Sequence, residues 1–245
     1  MHTPRIHTFT DKEQAASDLA QTLAQECLDA KRPTLLLFSG GSALSVIQYL
    51  PLFSDAAFLT LSVVDERADP SGATSNFQEL SRTPWFQAMR AAGAATIDPL
   101  SSATSFSQEK AQAFEHALRQ WQETHKNGLI VALLGMGADG HTAGIFPTPA
   151  TETFAQLFQS EAWVAAHTVP GAPSYPERLT TTLTFLQQVA DRVYVFICGR
   201  EKEIAWRHLL AQDLALSALP ILGIYAMRQP QIFTDLSSEK ITPKS

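Results

Sequence analysis

The chain has 245 residues, and 45% of them are hydrophobic. This length and composition suit one large α/β domain or at most two small ones. Its net charge is −6 and its basic residues are scattered, so we expect no nucleic acid partner. We also expect no membrane association, because no run of about 18 apolar residues occurs. No signal peptide is expected at the start of the sequence. Cys27 and Cys198 are predicted to be reduced core residues, which favours a cytoplasmic location.

The first half of the chain is predicted to alternate helices with short buried strands. Thr10 and Glu13 have the spacing of a capping box, and apolar residues recur at helical spacing after them. The predicted elements are a helix that starts at this box and ends at 31–33, a strand at 34–38, a turn at 39–42, a short helix at 43–50 and a strand at 59–64. Ser75 and Asn76 are candidate caps of a following helix.

The second half continues this alternation. Its predicted elements are a helix at 105–124, strands at 129–134 and 163–169, a helix at 180–190, a strand at 193–198, a helix at 201–212 and a strand at 221–225. Short apolar strands between helices are typical of a mostly parallel sheet with helices on both faces. We therefore predict an α/β fold, with one domain over 1–234 and a loose polar tail at 235–245.

The segment 133–147, LLGMGADGHTAGIFP, carries the strongest functional signal. It follows a predicted buried strand and places Asp139 and His141 among three glycines. Ligands of open α/β sheets bind outside the carboxyl ends of the strands, where a histidine can transfer protons near neutral pH. A core histidine that bonds the backbone is the alternative. The position of His141 between Gly140 and Thr142 favours an exposed loop or a helix start instead.

The glycines at 135, 137 and 140 also satisfy the G-x-G-x-x-G pattern of dinucleotide-binding proteins. That pattern requires a long helix that opens at the third glycine. Pro147 and Pro149 would end any helix here within about two turns, and the motif does not lie in a first βαβ unit. We therefore do not expect nicotinamide or flavin binding.

The turn formed by Gly40, Gly41 and Ser42 is a candidate anion site. It joins a predicted strand to a helix start, where free N–H groups and the helix dipole favour negative charge. No lysine follows, so the turn is not a nucleotide P-loop. A plain tight turn is the alternative reading.

Charged residues at three other places are further candidates. Asp65 and Arg67 directly follow an apolar strand, where charges either line a site or cap neighbouring helices. Arg178 precedes a predicted helix, an unfavourable place for a cation, and either Glu177 or a ligand phosphate would compensate it. Lys202 follows the strand at 193–198 and either reaches the sheet edge or is a solvated helix lysine.

Taken together, these residues resemble the 6-phosphogluconolactonase family, within the larger group that includes glucosamine-6-phosphate deaminases. Order and spacing match over nearly the whole chain, and the DGHTA-x-x-FP element is the most specific part. The matching motifs are SGGS at 39–42, DER at 65–67, SN at 75–76, GMGADGHTAGIFP at 135–147, PERLT at 176–180 and GREK at 199–202.

The resemblance implies a Rossmann-like α/β domain that hydrolyses 6-phospho-D-glucono-1,5-lactone without a metal or organic cofactor. The expected partner is this small phosphosugar lactone, with no obligate protein partner evident. His141 would act as the base that activates water, and Asp139 would orient its imidazole. Arg67, or N–H groups near Gly40 and Gly41, would stabilise the oxyanion that develops at the carbonyl.

The residues themselves predict where the phosphate of such a substrate binds. It would lie at the turn at 40–42, with Arg178 and Lys202 as cationic partners. Asp65 would position Arg67 or bind a sugar hydroxyl rather than act as a base.

This sequence departs from the family pattern at three places. Ala43 and Leu44 replace the usual Thr-Pro after the turn, Gly144 replaces a common serine, and no lysine occurs in the proline-rich segment before Arg178. These departures affect phosphate and sugar binding rather than Asp139, His141 or Arg67.

Two other functions share parts of this pattern. A glucosamine-6-phosphate deaminase or isomerase needs a similar pocket, but that branch usually has tyrosine at the position of Arg67. A non-catalytic sugar-phosphate sensor would keep the anion-binding turn but would not need His141 and Asp139.

Overall fold

A seven-stranded parallel sheet forms the centre of the computed structural model, which describes residues 3–67, 69, 74–101, 107–169 and 175–237. Every neighbouring pair of strands in this sheet is parallel. The strand order is β1 (Arg5–Thr8), β10 (Gln231–Thr234), β9 (Arg192–Ile197), β6 (Leu129–Gly135), β2 (Thr34–Phe38), β3 (Leu59–Val63) and β5 (Ala95–Thr96). The predicted α/β class is confirmed.

A second, antiparallel sheet lies at the carboxyl end of β3. It has three strands, in the order β4 (Asp65–Arg67), β8 (Glu177–Thr181) and β7 (Val164–Thr168). The N–H of Thr181 donates to the carbonyl of Val64 at 2.8 Å, which ties this sheet to the end of β3. The small sheet therefore forms one wall above the carboxyl edge of the large one.

Helices and helical turns connect the strands. The α-helices are α1 (Lys12–Ala30), α2 (Asn76–Ser81), α3 (Pro84–Ala91), α4 (Ser107–Thr124), α5 (Thr151–Phe158) and α6 (Glu203–Ala211). Shorter helical segments are 3₁₀ helices at Gly41–Tyr49, Arg200–Lys202 and Pro220–Ala226, and a π-helical turn at Phe185–Val189. None of the helices within the described ranges has the length and apolar character to cross a membrane.

Both faces of the large sheet are packed against apolar side chains, because successive residues of a strand point to opposite faces. In β2, Leu35 and Leu37 belong to one buried cluster, whereas Leu36 and Phe38 belong to the other. This explains why the central strands consist of apolar runs rather than alternating patterns.

Three element predictions were wrong in detail. Helix α1 is capped by Asp11 rather than Thr10, since the Asp11 carboxylate accepts from the N–H of Gln14 at 2.8 Å. The segment predicted as a helix at 180–190 begins with the end of β8, and its helical part is confined to 183–189, of which Phe185–Val189 is a π-helical turn. The predicted last strand at 221–225 lies in a 3₁₀ helix, and β10 follows it.

The end of the chain is only partly described. The carboxylate of Asp235 accepts from the N–H of Gly199 at 3.0 Å, and the carbonyl of Ser237 accepts from the indole of Trp206 at 2.8 Å. The rest of the predicted loose tail, 238–245, lies outside the described residues, as do the first two residues of the predicted helix at 105–124.

Candidate active site

A cavity of about 300 Å³ opens at the carboxyl ends of β2, β3, β6 and β9. It is lined by eight of the nine residues that the sequence singled out, and the ninth, Asp139, contacts one of them. The eight lining residues are Gly40, Gly41, Ser42, Asp65, Arg67, His141, Arg178 and Lys202. Segments far apart in the chain thus meet at the place that the parallel topology predicts for a ligand.

The loop after β6 holds His141 at the cavity without a helix. The N–H of Gly137 donates to the His141 carbonyl at 2.9 Å, and the N–H of Gly140 donates to the Gly137 carbonyl at 3.0 Å. Gly140 has a φ of +82°, which favours glycine. Of the two placements that the sequence left open for His141, the structure therefore shows the loop.

Asp139 determines which imidazole nitrogen of His141 is basic. Its Oδ1 lies 2.5 Å from His141 Nδ1 and also accepts the His141 backbone N–H at 3.1 Å. The hydrogen bond from His141 lowers the pKa of Asp139, which favours the ionised, acceptor-only carboxylate. The proton of a neutral imidazole must then reside on Nδ1, so Nε2 carries the free lone pair.

Two neighbours fix the plane of the imidazole. The ring of Phe146 stacks on His141 with 4.3 Å between centroids and 24° between planes. On Gly137, a Cβ would lie 2.1 Å from His141 Cε1, so only glycine leaves room for the ring there. Phe146 also lines the cavity, and it is the phenylalanine of the DGHTA-x-x-FP element, although the sequence offers no reason to assign it a role of its own.

Asp65 and Arg67 are presented to the cavity by β4, while Glu66 between them points the opposite way. The Nη1 of Arg67 donates to the Thr74 carbonyl at 2.6 Å and to Asn76 Oδ1 at 3.1 Å. The Nδ2 of Asn76 donates to the Asp65 carbonyl at 2.9 Å and to its carboxylate at 3.3 Å. Burial raises the pKa of Asp65, although Arg67 opposes this shift.

Asn76 links the two cavity residues of β4, whereas the sequence suggested only a capping role. Ser75 is the cap of α2, since its hydroxyl accepts from the N–H of Gln78 at 3.1 Å. Asn76 is the next residue, and its Oδ1 would lie 2.3 Å from a Cβ placed on Gly40. Its neighbours are distant in the chain, so local sequence patterns could not reveal them.

Arg178 lies in β8 rather than before a helix, so that prediction was wrong. It stands opposite Arg67 in β4, and like charges at such positions repel. The Arg178 guanidinium donates to the carbonyls of Tyr175 and Glu177. The Glu177 carboxylate accepts from Ser107. Burial lowers the pKa of Arg178, and the positive charge of Arg67 lowers it further. A bound anion would relieve the repulsion between these two guanidinium groups.

Lys202 lines the cavity and contacts the glycine–serine turn. It is only 4% exposed, and its Nζ donates to Ser42 Oγ at 2.8 Å. Burial lowers its pKa. Gly41 has a φ of +61°, and the 3₁₀ helix that begins there presents N–H groups without intrahelical partners. The N–H groups of the turn and the Lys202 ammonium together form a second positively charged region of the cavity, in addition to the Arg67–Arg178 pair.

The fold and the cavity define an α/β protein with a histidine–carboxylate pair and separate cationic groups, an arrangement suited to acid–base chemistry on a phosphorylated molecule. The family model described as glucosamine-6-phosphate isomerases/6-phosphogluconolactonase matches residues 10–233. The chain belongs to this family, which confirms the resemblance found in its sequence.

Individual relatives agree with this assignment. A 6-phosphogluconolactonase from Xylella fastidiosa is 30% identical over 195 residues, which cover 78% of this chain and 77% of that relative. One from Rattus norvegicus is 28% identical over 240 residues, with coverage of 92% and 87%. The crystal structure of a 6-phosphogluconolactonase from Shewanella baltica has a TM-score of 0.75 at 24% identity and covers 95% of this chain and 97% of its own. That likeness supports the fold.

Proposed function

We propose that this chain hydrolyses 6-phospho-D-glucono-1,5-lactone to 6-phospho-D-gluconate, the second step of the oxidative pentose phosphate pathway. The observation that carries the proposal is the His141–Asp139 pair, whose imidazole lines the same cavity as Arg67, Arg178 and Lys202. The names of the curated relatives support the same substrate. A lactone carbonyl is already electrophilic, so a positioned base and water suffice, and the proposed chemistry requires no metal or organic cofactor.

In the proposed mechanism, His141 is the general base. Its Nε2 takes a proton from a water molecule as the water oxygen forms a bond to C1 of the lactone. The C1–ring oxygen bond then breaks, and the imidazolium returns the proton to the departing ring oxygen. The new carboxylic acid releases its proton to solvent at neutral pH. Asp139 stabilises the transient imidazolium and maintains the tautomer that exposes Nε2.

Arg67 is the proposed donor to the oxyanion on C1. Its guanidinium is held by Thr74 and Asn76 and lines the cavity together with His141. A charged donor that is already oriented stabilises developing charge without reorganisation. The N–H groups near Gly40 and Gly41 remain the alternative donors.

The proposed phosphate site is the turn at 40–42. Free N–H groups at the start of the 3₁₀ helix and the buried Lys202 favour a dianion there. Arg178 is the second proposed cationic partner, and its repulsion from Arg67 is consistent with an anion nearby. Asp65 would then either position Arg67 or accept a hydrogen bond from a sugar hydroxyl.

Two further proposals concern the cellular location and the domain organisation of the chain. The thiols of Cys27 and Cys198 are free and buried, which supports a reducing, cytoplasmic compartment. Residues 1–234 are proposed to form one domain. In support, β1 and β10, from opposite ends of this range, pair in parallel in the same sheet.

The experiment that tests the function is lactone hydrolysis by the wild type beside His141→Ala. Freshly generated 6-phosphogluconolactone is coupled to 6-phosphogluconate dehydrogenase, and spontaneous opening is measured without enzyme. We expect the substitution to lower kcat by about 10²–10⁴-fold, because a positioned base contributes roughly this much. The KM should change little, since the phosphate contacts remain.

Other outcomes of this experiment would contradict the proposal in distinct ways. Equal acceleration by wild type and His141→Ala would show that His141 is not the base, although the chain would still be a lactonase. No acceleration by the wild type would exclude the lactonase function. Ammonia release from glucosamine 6-phosphate would then assign the chain to the deaminase side of its family.

A further inference from the structure

Glu66 is a fully buried carboxylate behind the cavity, and the proposed mechanism does not use it. Its exposed fraction is 0%, and it lies between two residues of β4 that line the cavity. Alternation along the strand turns its side chain away from the cavity and toward the first residues of α2. A buried carboxylate is unfavourable unless it is fully hydrogen-bonded, so its partners indicate why it is there.

Glu66 accepts hydrogen bonds from four groups among the described residues. Its Oε1 accepts the N–H groups of Arg67 at 2.7 Å and Asn76 at 2.8 Å. Its Oε2 accepts the N–H of Phe77 and the hydroxyl of Ser75, both at 2.8 Å. Each partner donates, so both carboxylate oxygens act as acceptors, and these hydrogen bonds oppose the burial that raises the pKa of Glu66. A glutamine of the same shape would direct an NH₂ group at these donors.

These hydrogen bonds join two segments that each supply a cavity group. Arg67 ends β4 and Asn76 begins α2, and the side chains of these two residues bond to each other at 3.1 Å. Asn76 also bonds Asp65 and contacts Gly40 of the turn. One carboxylate thus holds the backbone of both segments in the register that brings their side chains together.

We propose that Glu66 is a positioning residue for lactone hydrolysis, which fixes the Arg67 guanidinium and the Asn76 amide at the reacting carbonyl. This inference rests on the proposed function. Glu66 touches no substrate, so it acts only through these two neighbours. Its loss should therefore lower turnover by misplacing Arg67, while the phosphate contacts at the turn at 40–42 and Lys202 stay in place.

The test compares Glu66→Gln with the matched control Glu115→Gln. Glu115 also anchors backbone N–H groups, those of Trp163 at 3.0 Å and Val164 at 3.2 Å, and it pairs with Arg119 at 2.7 Å. It does not line the cavity. Both substitutions remove a carboxylate that holds backbone amides, so loss of stability alone would affect both variants.

Kinetic constants are measured for each variant and corrected for the folded fraction from unfolding curves. We expect Glu66→Gln to lower kcat on the order of 10²-fold, the usual cost of a misplacement of about 1 Å, with KM changed by less than about threefold. Glu115→Gln should keep the wild-type kcat. If Glu66→Gln does not fold, Glu66→Asp, which keeps the charge but withdraws it by one methylene, is measured instead. A wild-type kcat in the folded Glu66 variant would overturn the proposal.

A second readout does not depend on turnover. The guanidinium protons of Arg67 are observed by NMR and assigned by their loss in Arg67→Lys. In the wild type, the hydrogen bonds to Thr74 and Asn76 should slow their exchange with water, and Glu66→Gln should abolish this protection. If the Arg67 signals change in Glu66→Gln but the wild type does not hydrolyse the lactone, Glu66 still positions Arg67 and the proposed lactonase function is wrong. Unaltered signals would overturn the positioning role, whatever the activity.

Discussion

At the scale of single residues, Asp65 lies where burial and neighbouring cations act on its carboxylate in opposite directions. Burial raises its pKa, while Arg67, His141 and Arg178 act to lower it, and the balance remains raised. Ionisation of Asp65 is thus less favourable in the folded protein than in the unfolded chain. Asp65 therefore contributes a loss of stability as the pH rises from below the ordinary aspartate pKa, about 3.9, through its raised folded pKa.

Asp65→Asn should consequently stabilise the protein in a pH-dependent way. The amide stays neutral, so the variant is expected to have a higher Tm than the wild type at pH 7. Near pH 3, below the ordinary aspartate pKa of about 3.9, the wild-type carboxyl group is also neutral and the Tm difference should disappear. Thermal unfolding at both pH values is the measurement. A Tm difference of equal size at both would show that ionisation of Asp65 does not set it.

Residue types at strand ends could be predicted, but their mutual contacts could not. The residues Asp139 and His141 are close in the chain, so their pairing was accessible from the motif. The contacts of Asn76 with Asp65, Arg67 and Gly40 depend on how β4, α2 and the turn pack in three dimensions. No local spacing encodes such contacts.

At the scale of elements, long apolar runs were predicted well and short polar strands were not. The strands β2, β3 and β6 are buried along their length, and apolar runs such as theirs are a strong signal. Strand β8, with the sequence ERLTT, is stabilised by pairing with both β4 and β7 rather than by its own pattern. Strand β1, with the sequence RIHT, likewise depends on its partner β10.

The turn between Thr142 and Ile145 brings the backbone close to Asp65. The two residues exchange reciprocal backbone hydrogen bonds, and Ala143 and Gly144 between them have φ values of +49° and +70°. Positive φ at both central positions is typical of a type I′ turn. A Cβ on Gly144 would lie 2.9 Å from the Asp65 Cβ, so a larger residue there requires Asp65 to shift.

Gly144→Ala is therefore expected to lower both stability and turnover. The positive φ should cost about 1–2 kcal/mol of folding free energy, since an L-residue is strained there. Displacement of Asp65 should lower kcat on the order of tenfold, because it disturbs the network around Arg67. Denaturant unfolding and steady-state kinetics measure the two effects.

Gly93→Ala provides the matched control for this substitution. Gly93 has a φ of +103°, and its Cβ would meet Ala57 at 3.5 Å, an ordinary contact. It does not line the cavity. This variant should lose stability but keep the wild-type kcat. If Gly93→Ala lowers kcat as much as Gly144→Ala does, general destabilisation rather than the position of Asp65 explains the loss.

At the scale of the whole molecule, the large sheet separates two apolar clusters that share its strands. Trp85 lies in the cluster on one face, and Trp206 lies in the cluster on the other. Leu36 in β2 packs in the Trp85 cluster, while its neighbour Leu37 packs in the Trp206 cluster. Since β2 carries side chains of both clusters, loss of packing on one face should also destabilise the cluster on the other face.

Leu36→Ala should therefore lower the unfolding midpoint reported from both faces by the same amount. Two backgrounds that keep only Trp85 or only Trp206, with phenylalanine at the other tryptophan positions, report each face by fluorescence. Removal of a buried leucine side chain should cost about 2–5 kcal/mol of unfolding free energy, and both reporters should register it if the proposed single domain unfolds in one transition. A midpoint shift confined to the Trp85 reporter would show that the faces unfold separately. That result would contradict the proposed single domain over residues 1–234.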